Sequence, residues 1–299
     1  MSDPGTPTLD QLRVFLTVVE AGSFTAAARR LGRANSVISY SIGNLEAQLG
    51  VSLFDRDITK KPQLTDAGLA VLAEARVVER GVSGLRAKVK GLQQGLEAEV
   101  HLVLDVMLPA ARIVDALKAF QEAFPTVTLR LSVEALGGVT QLVLDRAATL
   151  GVSGPLDLAT DGIERIGIGS VPMAPVAAPD HPLALAGRNA PGAGRDHVQL
   201  VVTDRSTLTE GREFAVLAAR TWRLVDLGSK HMLLREGIGW GLMPLPMVRE
   251  DLQSGRLVRL DMPDAPGGDY GLQAIYRTDT PPGPARAFLI NRFAGQAIE

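Results

Sequence analysis

The stretch GSFTAAARRLGRANSVISYSIGNLEAQLG, residues 22–50, decides how the first part of this chain folds. Gly22 breaks whatever precedes it, and Ser23 is placed to cap a helix whose buried face is Phe24, Ala27, Ala28 and Leu31. The small alanines let a second helix pack closely. Gly32 supplies a tight turn, and from Asn35 to about Leu49 the apolar residues Ile38, Ile42, Leu45 and Leu49 return every three or four positions, which predicts another helix. Working backward, Leu9, Leu12, Phe15, Leu16 and Val19 form a stripe of the same period over residues 9–20, with Thr8 as its N-cap. Three short helices therefore share one small core.

The face of the third helix opposite its apolar stripe carries Asn35, Ser36, Ser39, Tyr40, Gly43 and Asn44, short polar groups with one aromatic and no large aliphatic. Such a face suits a DNA major groove, where Asn and Ser hydrogen-bond base edges while Arg29, Arg30 and Arg33 hold phosphates nearby. Beyond Gly50, Leu53-Phe54-Asp55-Arg56 and Gln63-Leu64-Thr65 read as two short strands joined by a turn with Lys60 and Lys61, so Arg56 and Lys60 join the expected backbone contacts. The whole chain has a formal charge of −2, an unusual balance for a nucleic-acid binder. Between Arg29 and Thr65, however, six basic residues face Glu46, Asp55 and Asp57, a local excess of three positive charges.

Thr65 is the expected cap of a long helix from Asp66 to about Gln94. Its residues Ala75, Val78, Val82, Leu85, Val89 and Leu92 make a seam over roughly three heptads. An amphipathic helix packed on its own chain gives the same pattern, but a lone long helix between domains favours dimerisation. After Glu97 the texture becomes an α/β alternation. Val100–Val106 reads as a strand, Ala110–Phe124 as a helix and Thr126–Val133 as a strand, a βαβ unit with a parallel sheet. Later strands are expected at Met173–Ala178, Leu200–Thr203, Leu224–Leu227, Gly239–Met243 and Leu272–Tyr276, with helices at about Ser229–Glu236, Met247–Ser254 and after Pro284.

With 299 residues and 46% hydrophobic content, the chain can bury two or three domain cores. It has no cysteine, which removes disulfides, thiolate nucleophiles and cysteine zinc sites together. Its four histidines, His101, His181, His197 and His231, lack metal-ligand spacing, so no metal is expected. No apolar run approaches the roughly 18 residues of a membrane span. The residues Met1 to Thr8 carry acid and proline where a secretory signal needs a basic start and an apolar core, so a cytoplasmic location is expected.

The order Leu12, Phe15, Gly22-Ser23-Phe24, Ala27-Ala28, Leu31, Ser36, Ser39, Ile42, Leu45-Glu46, Leu49-Gly50, Leu53-Phe54, Arg56, Leu64-Thr65 and Gly68 resembles the LysR-type transcriptional regulators. His181-Pro182-Leu183-Ala184, Gly239-Trp240-Gly241 with Pro244, and Gly255-Arg256-Leu257-Val258 look like the effector domain of that family. The resemblance implies an α/β multidomain protein: a winged helix-turn-helix over residues 1–66, a linker and dimerisation helix over 67–96, and a two-lobed, periplasmic-binding-protein-like effector domain over 97–299. Lobe I would take about 97–168 and 268–299, lobe II about 169–267. It also implies double-stranded promoter DNA, a small-molecule effector, RNA polymerase and self-association as dimer or tetramer as partners, with no cofactor. Carried over, Asn35, Ser36, Ser39 and Tyr40 become recognition-helix contacts. Three positions depart from the family pattern: Ala34 replaces a frequent capping serine, Asn35 a frequent glutamine and Gly43 a frequent basic residue.

In a two-lobed α/β domain the ligand sits where strand ends and helix starts of both lobes meet. That rule selects Asp105, Met107 and Leu108, then Gly137-Gly138 and the Gly151–Gly154 loop with Ser153, and across the cleft Thr203, Asp204, Lys230 and His231. Asp105 and Met107 stand where the resemblance leads one to expect serine or threonine, which points to a partly apolar ligand. Duller roles are to be weighed: Lys230 in a surface ion pair, Met107 as core filling, His181 shaping a turn, and Trp240 packing where a strand meets a helix. No nucleophile and base, and no paired carboxylates, mark an enzyme. A transporter's solute-binding protein is opposed by the fused helix-turn-helix.

Overall fold

The computed structural model describes residues 6–55, 62–93, 95–156 and 160–295. The chain divides into two compact units, Met1–Lys90 and Gly91–Glu299. In the first, α1 (Leu9–Ala21), α2 (Phe24–Leu31) and α3 (Asn35–Leu49) stand where the caps require them. Thr8 Oγ1 accepts the Gln11 amide while the Gln11 side chain accepts the Thr8 amide, and Ser23 Oγ accepts the Ala26 amide. Gly22, Gly32 and Gly50 end the three helices at φ +67°, +64° and +70°, a left-handed conformation that side chains resist.

Phe15, Ile38, Leu45 and Leu53 are fully buried at the centre of this unit. Phe54 meets Phe15 and Phe24 edge to face, with ring centroids 5.6 and 5.4 Å apart. The two expected strands are reduced to one antiparallel bridge, Phe54 with Leu64, flanked by the Asp55 amide on the Gln63 carbonyl (2.8 Å) and the Thr65 amide on the Leu53 carbonyl (3.1 Å). Glu46 Oε1 accepts the amides of Leu53 and Phe54 at 2.7 and 3.3 Å and so ties this hairpin to α3. Arg56, Lys60 and Lys61 lie outside the described residues.

A long helix follows, α4 (Asp66–Gln93), capped by Thr65 Oγ1 on the Gly68 amide at 2.9 Å. Gly68 is sterically required, because a Cβ there would stand 2.1 Å from the Leu53 carbonyl oxygen. Of the seam residues on α4, Ala75 is buried in the first unit's core and Val82 is half-buried, whereas Val78, Leu85, Val89 and Leu92 are exposed.

The second unit runs β1 (Glu99–Asp105), α5 (Ala110–Ala123), β2 (Thr128–Glu134), α6 (Gly137–Leu144), β3 (Leu150–Ser153), β4 (Ile163–Ala177), α7 (Pro182–Leu185), β5 (Gln199–Val202), β6 (Thr221–Leu224), α8 (Leu227–Arg235), β7 (Trp240–Pro244), α9 (Leu245–Ser254), β8 (Val258–Arg259), β9 (Gly268–Arg277) and α10 (Pro284–Ala294). The strand order is β2-β1-β3-β9-β4-β7-β5-β6, with β8 beside β4. Pairing is parallel within β2-β1-β3 and within β7-β5-β6, and antiparallel wherever β4 or β9 takes part. The sheet is therefore mixed, and a parallel arrangement holds only within each half. These halves are the two lobes, joined by β4 and β9, which pair from Ile163 with Arg277 to Met173 with Gly268 through an irregularity between Gly167 and Ser170.

Four local expectations need correction. Gly151–Ser153 belongs to a strand, β3, and its glycine is there for close packing: a Cβ at Gly151 would lie 2.8 Å from Ile275 Cγ1 and 3.0 Å from Val139 Cγ1. Gly137-Gly138 opens α6 instead of lying in a loop. The strand expected at Leu224–Leu227 ends at Leu224, because Asp226 caps α8, which begins at Leu227. The strand expected from Met173 starts at Ile163.

Candidate nucleic-acid face and ligand cavity

On α3 the apolar stripe turns Ile38, Ile42 and Leu45 inward and leaves Asn35, Ser36, Ser39 and Tyr40 exposed, with Asn44 half-buried. Tyr40 is 71% exposed, too much surface for a residue packed on its own fold. Ala34 provides no side-chain cap, so the positive end of α3 is open to an anionic acceptor such as a phosphate. A Cβ at Gly43 would meet nothing within 4 Å, so internal packing does not explain that glycine.

The three arginines differ in their commitments. Arg33 makes a two-pronged contact with Asp10, at 2.7 and 2.8 Å, which clamps the start of α1 to the turn after α2. That hydrogen bond holds the Asp10 carboxyl below its usual range. Arg30 pairs with Glu20 at 2.9 Å on the surface. Arg29 forms no ion pair among the described residues, which leaves it the most available for a phosphate.

Between the lobes, the end of β1 carries Asp105, a buried carboxylate. Its Oδ1 accepts the Met107 amide at 2.8 Å and its Oδ2 accepts the Tyr270 hydroxyl at 2.9 Å. Burial pushes the Asp105 carboxyl up to about 6, against the pull of these donors and of the Gly154 amide. Tyr270, on β9, is itself pushed up by burial and by the neighbouring Asp105. Its hydroxyl occupies the space over Gly154, where a Cβ would stand 1.9 Å away. Ser153 Oγ is buried nearby without a hydrogen-bond partner.

Farther along, the first residue of α6 presses on the other lobe. A Cβ at Gly137 would lie 2.7 Å from Thr209 Cγ2, 3.0 Å from Ser206 Oγ and 3.1 Å from Asp204 Oδ2. Asp204 Oδ1 accepts the Thr209 hydroxyl at 2.6 Å, and Thr207 Oγ1 donates across the lobes to Gln141 at 3.0 Å. Met107 and Ala135 of lobe I are packed into the core of lobe II beside Leu200, Leu227 and Met243. The lobes are thus in direct contact.

Lys230 is not in a surface ion pair. It is buried on the inner face of α8, where Nζ donates to the Leu242 carbonyl at 2.8 Å, and burial pushes its ammonium down to about 7. His231 Nε2 meets Asp251 Oδ2 at 2.5 Å, and Arg256 reaches the same carboxylate at 2.7 Å. Burial works to raise the Asp251 carboxyl, but His231, Arg256 and Arg235 outweigh it and hold it below the usual range. His181 caps α7 by accepting the Leu183 amide on Nδ1. Trp240 is fully buried, and its Nε1 donates to Gly194 in a short turn of helix at Ala193–Asp196.

A cavity of about 340 Å³ lies between the loop from β1 to α5 and the starts of α8 and α9. Met107, Leu108, Leu227, Pro244, Pro246 and Met247 line it, and no lining residue is ionisable. Two further cavities with mixed polar and apolar walls, of about 380 and 450 Å³, flank the loop holding Thr203 and Asp204. The cleft residues picked from sequence therefore divide. Met107 and Leu108 reach the apolar cavity, Thr203 and Asp204 the two mixed ones, and Asp105, Gly137, Ser153, Lys230 and His231 line none of these three. Sequence reading missed Tyr270 and the Pro244–Met247 wall, since no local pattern brings either beside β1. Among the described residues no group of three or more His, Asp or Glu could hold a metal ion, and no helix is long and apolar enough to cross a membrane.

Comparison with known proteins matches both units. Residues 9–69 match the family described as bacterial regulatory helix-turn-helix protein, lysR family, and residues 93–296 match the LysR substrate binding domain. The chain is 26% identical to the HTH-type transcriptional regulator AceR of Acinetobacter baumannii over 308 residues, 97% of each chain. It is 29% identical to the HTH-type transcriptional activator AllS of Salmonella typhimurium over 268 residues, 88% of this chain and 85% of that one. A full-length OxyR variant from Pseudomonas aeruginosa shares the fold, with a TM-score of 0.53 at 17% identity over 96% of this chain and 99% of that one.

Proposed function

The chain belongs to the LysR family of bacterial transcriptional regulators, DNA-binding proteins with a small-molecule-responsive domain, and from that premise we propose how its own residues divide the work. Residues 1–66 form the DNA-binding domain, 67–96 the linker and 97–299 the effector domain. Asn35, Ser36, Ser39, Tyr40 and Asn44 on α3 read base edges, while Arg29, Arg30 and Arg33, with Arg56 and Lys60, serve the phosphates. One observation carries this reading: α3 is packed on one side, bares Asn35, Ser36, Ser39 and Tyr40 beside Val37 on the other, and has an uncapped start. Two such helices, one from each chain of a dimer, enter successive major grooves of promoter DNA.

The exposed residues Val78, Leu85, Val89 and Leu92 on α4 support self-association through that helix, as a dimer or a pair of dimers. The effector sits between the lobes, with Met107 and Leu108 among its contacts, and binds one lobe arrangement better than the other. That difference in affinity shifts the spacing of the α3 helices and so the access of RNA polymerase. The protein acts in the cytoplasm without catalysis and without a cofactor. The test is a gel shift with the DNA upstream of the protein's own gene, at low and high salt. Preferred binding that weakens steeply with salt is expected. Equal affinity for unrelated DNA would overturn the reading.

A further inference from the structure

Resting on the regulator reading, we infer that the cavity walled by Met107, Leu108, Leu227, Pro244 and Met247 takes a neutral, largely apolar small molecule in preference to an anion, because no side-chain cation lines it and Asp226 closes the start of α8 at its edge. In a two-lobed domain an anionic ligand is received by backbone amides at helix starts. At α8 those amides are already served. Asp226 accepts the Gly228 amide at 3.1 Å and the Ser229 amide at 2.6 Å, so both of its oxygens close the start of α8, the helix whose first two residues line the cavity. Asp105 takes the Met107 amide from behind the cavity wall.

No Lys, Arg or His lines the cavity. An incoming anion would find no side-chain cation to pair with, and no carboxylate lines the cavity to receive a cation. What remains is apolar surface with two flexible thioethers, Met107 and Met247, which adapt to ligand shape. The start of α5, with Pro109 as its cap residue and no side-chain hydrogen bond, offers one position where a neutral carbonyl or hydroxyl can be oriented. A volume of about 340 Å³ suits a compact aromatic or alicyclic molecule.

The matched probes N-phenyl-1-naphthylamine and 8-anilinonaphthalene-1-sulfonate differ essentially by a sulfonate, and both brighten in an apolar site. Titrated into the full-length protein, the neutral probe is expected to bind saturably and about tenfold or more tightly than the sulfonate. Ala111→Trp, which fills the cavity from an exposed position on α5, is expected to weaken the neutral probe by about tenfold. Asp226→Ser keeps a cap on α8 without its charge and is expected to narrow the gap between the probes. Equal affinity for both probes, or a neutral probe indifferent to Ala111→Trp, overturns the inference. The same preparations are run in the gel shift: promoter binding that survives such a result leaves the regulator reading standing, and probe binding without any promoter preference sinks that reading instead.

Discussion

Tyr270 donates its hydroxyl to Asp105 across 2.9 Å, fastening the long strand shared by both lobes to the end of β1. The pair lies between the cores of the two lobes, and Tyr270 packs against both.

A carboxyl whose folded-state pKa lies above its unfolded value holds its proton more tightly in the folded protein. Its contribution is fully present below the unfolded value and is lost as pH rises through the folded one. For Asp105 that window runs from 3.8 to about 6 and amounts to about 3 kcal/mol. Urea unfolding of Asp105→Asn should therefore gain about 3 kcal/mol on the natural protein between about pH 3 and about pH 7. Tyr270→Phe removes a donor to the carboxylate and should move the upper edge of the window higher. A pH-independent difference between Asp105→Asn and the natural protein would contradict this.

Two glycines of the first unit should respond oppositely to alanine. Gly43 sits in the middle of α3 with open space where a Cβ would go, so Gly43→Ala should stabilise the helix by about 1 kcal/mol in thermal unfolding. Gly68→Ala drives a Cβ into the Leu53 carbonyl and should cost more than about 2 kcal/mol.

The two kinds of DNA contact should separate by salt. Asn35→Ala should weaken binding to the preferred promoter by about 1–3 kcal/mol and leave unrelated DNA unaffected. Arg29→Ala should weaken both and lower the slope of log affinity against log salt by about 1. Fluorescence anisotropy at several salt concentrations distinguishes the outcomes.

Leu85, 63% exposed on α4, should matter only between chains. Leu85→Glu is expected to lower the mass measured by sedimentation equilibrium without changing the circular dichroism of the chain. An unchanged mass would place the association elsewhere.

The helices of the first unit were legible in sequence almost to the residue, because their signals are short-range: Thr8, Ser23 and Thr65 each cap the helix that follows within three residues. The second unit was legible in α5, α8, α9 and α10, not in α6 or α7, and poorly in its strand ends. Leu150–Ser153 is four residues long, wholly buried and contains a glycine, so neither alternation nor length marks it as a strand. Within the site, Met107 and Leu108 could be picked from the end of a predicted strand. The burial of Lys230 could not, since nothing in the sequence around it distinguishes an inward lysine from an outward one. The Arg33–Asp10 clamp joins residues 23 positions apart and leaves no local trace.

Because β4 and β9 form one antiparallel ribbon that passes through both lobes, the effector domain has no single hinge peptide to flex. Swinging the lobes apart like jaws would tear ladder hydrogen bonds, whereas winding the ribbon about its long axis would keep them. Gly169, at φ +97°, lies inside the ribbon's irregular stretch. Such a domain behaves as a torsion bar: what it can pass to the rest of the chain is a small change of angle, delivered as torque.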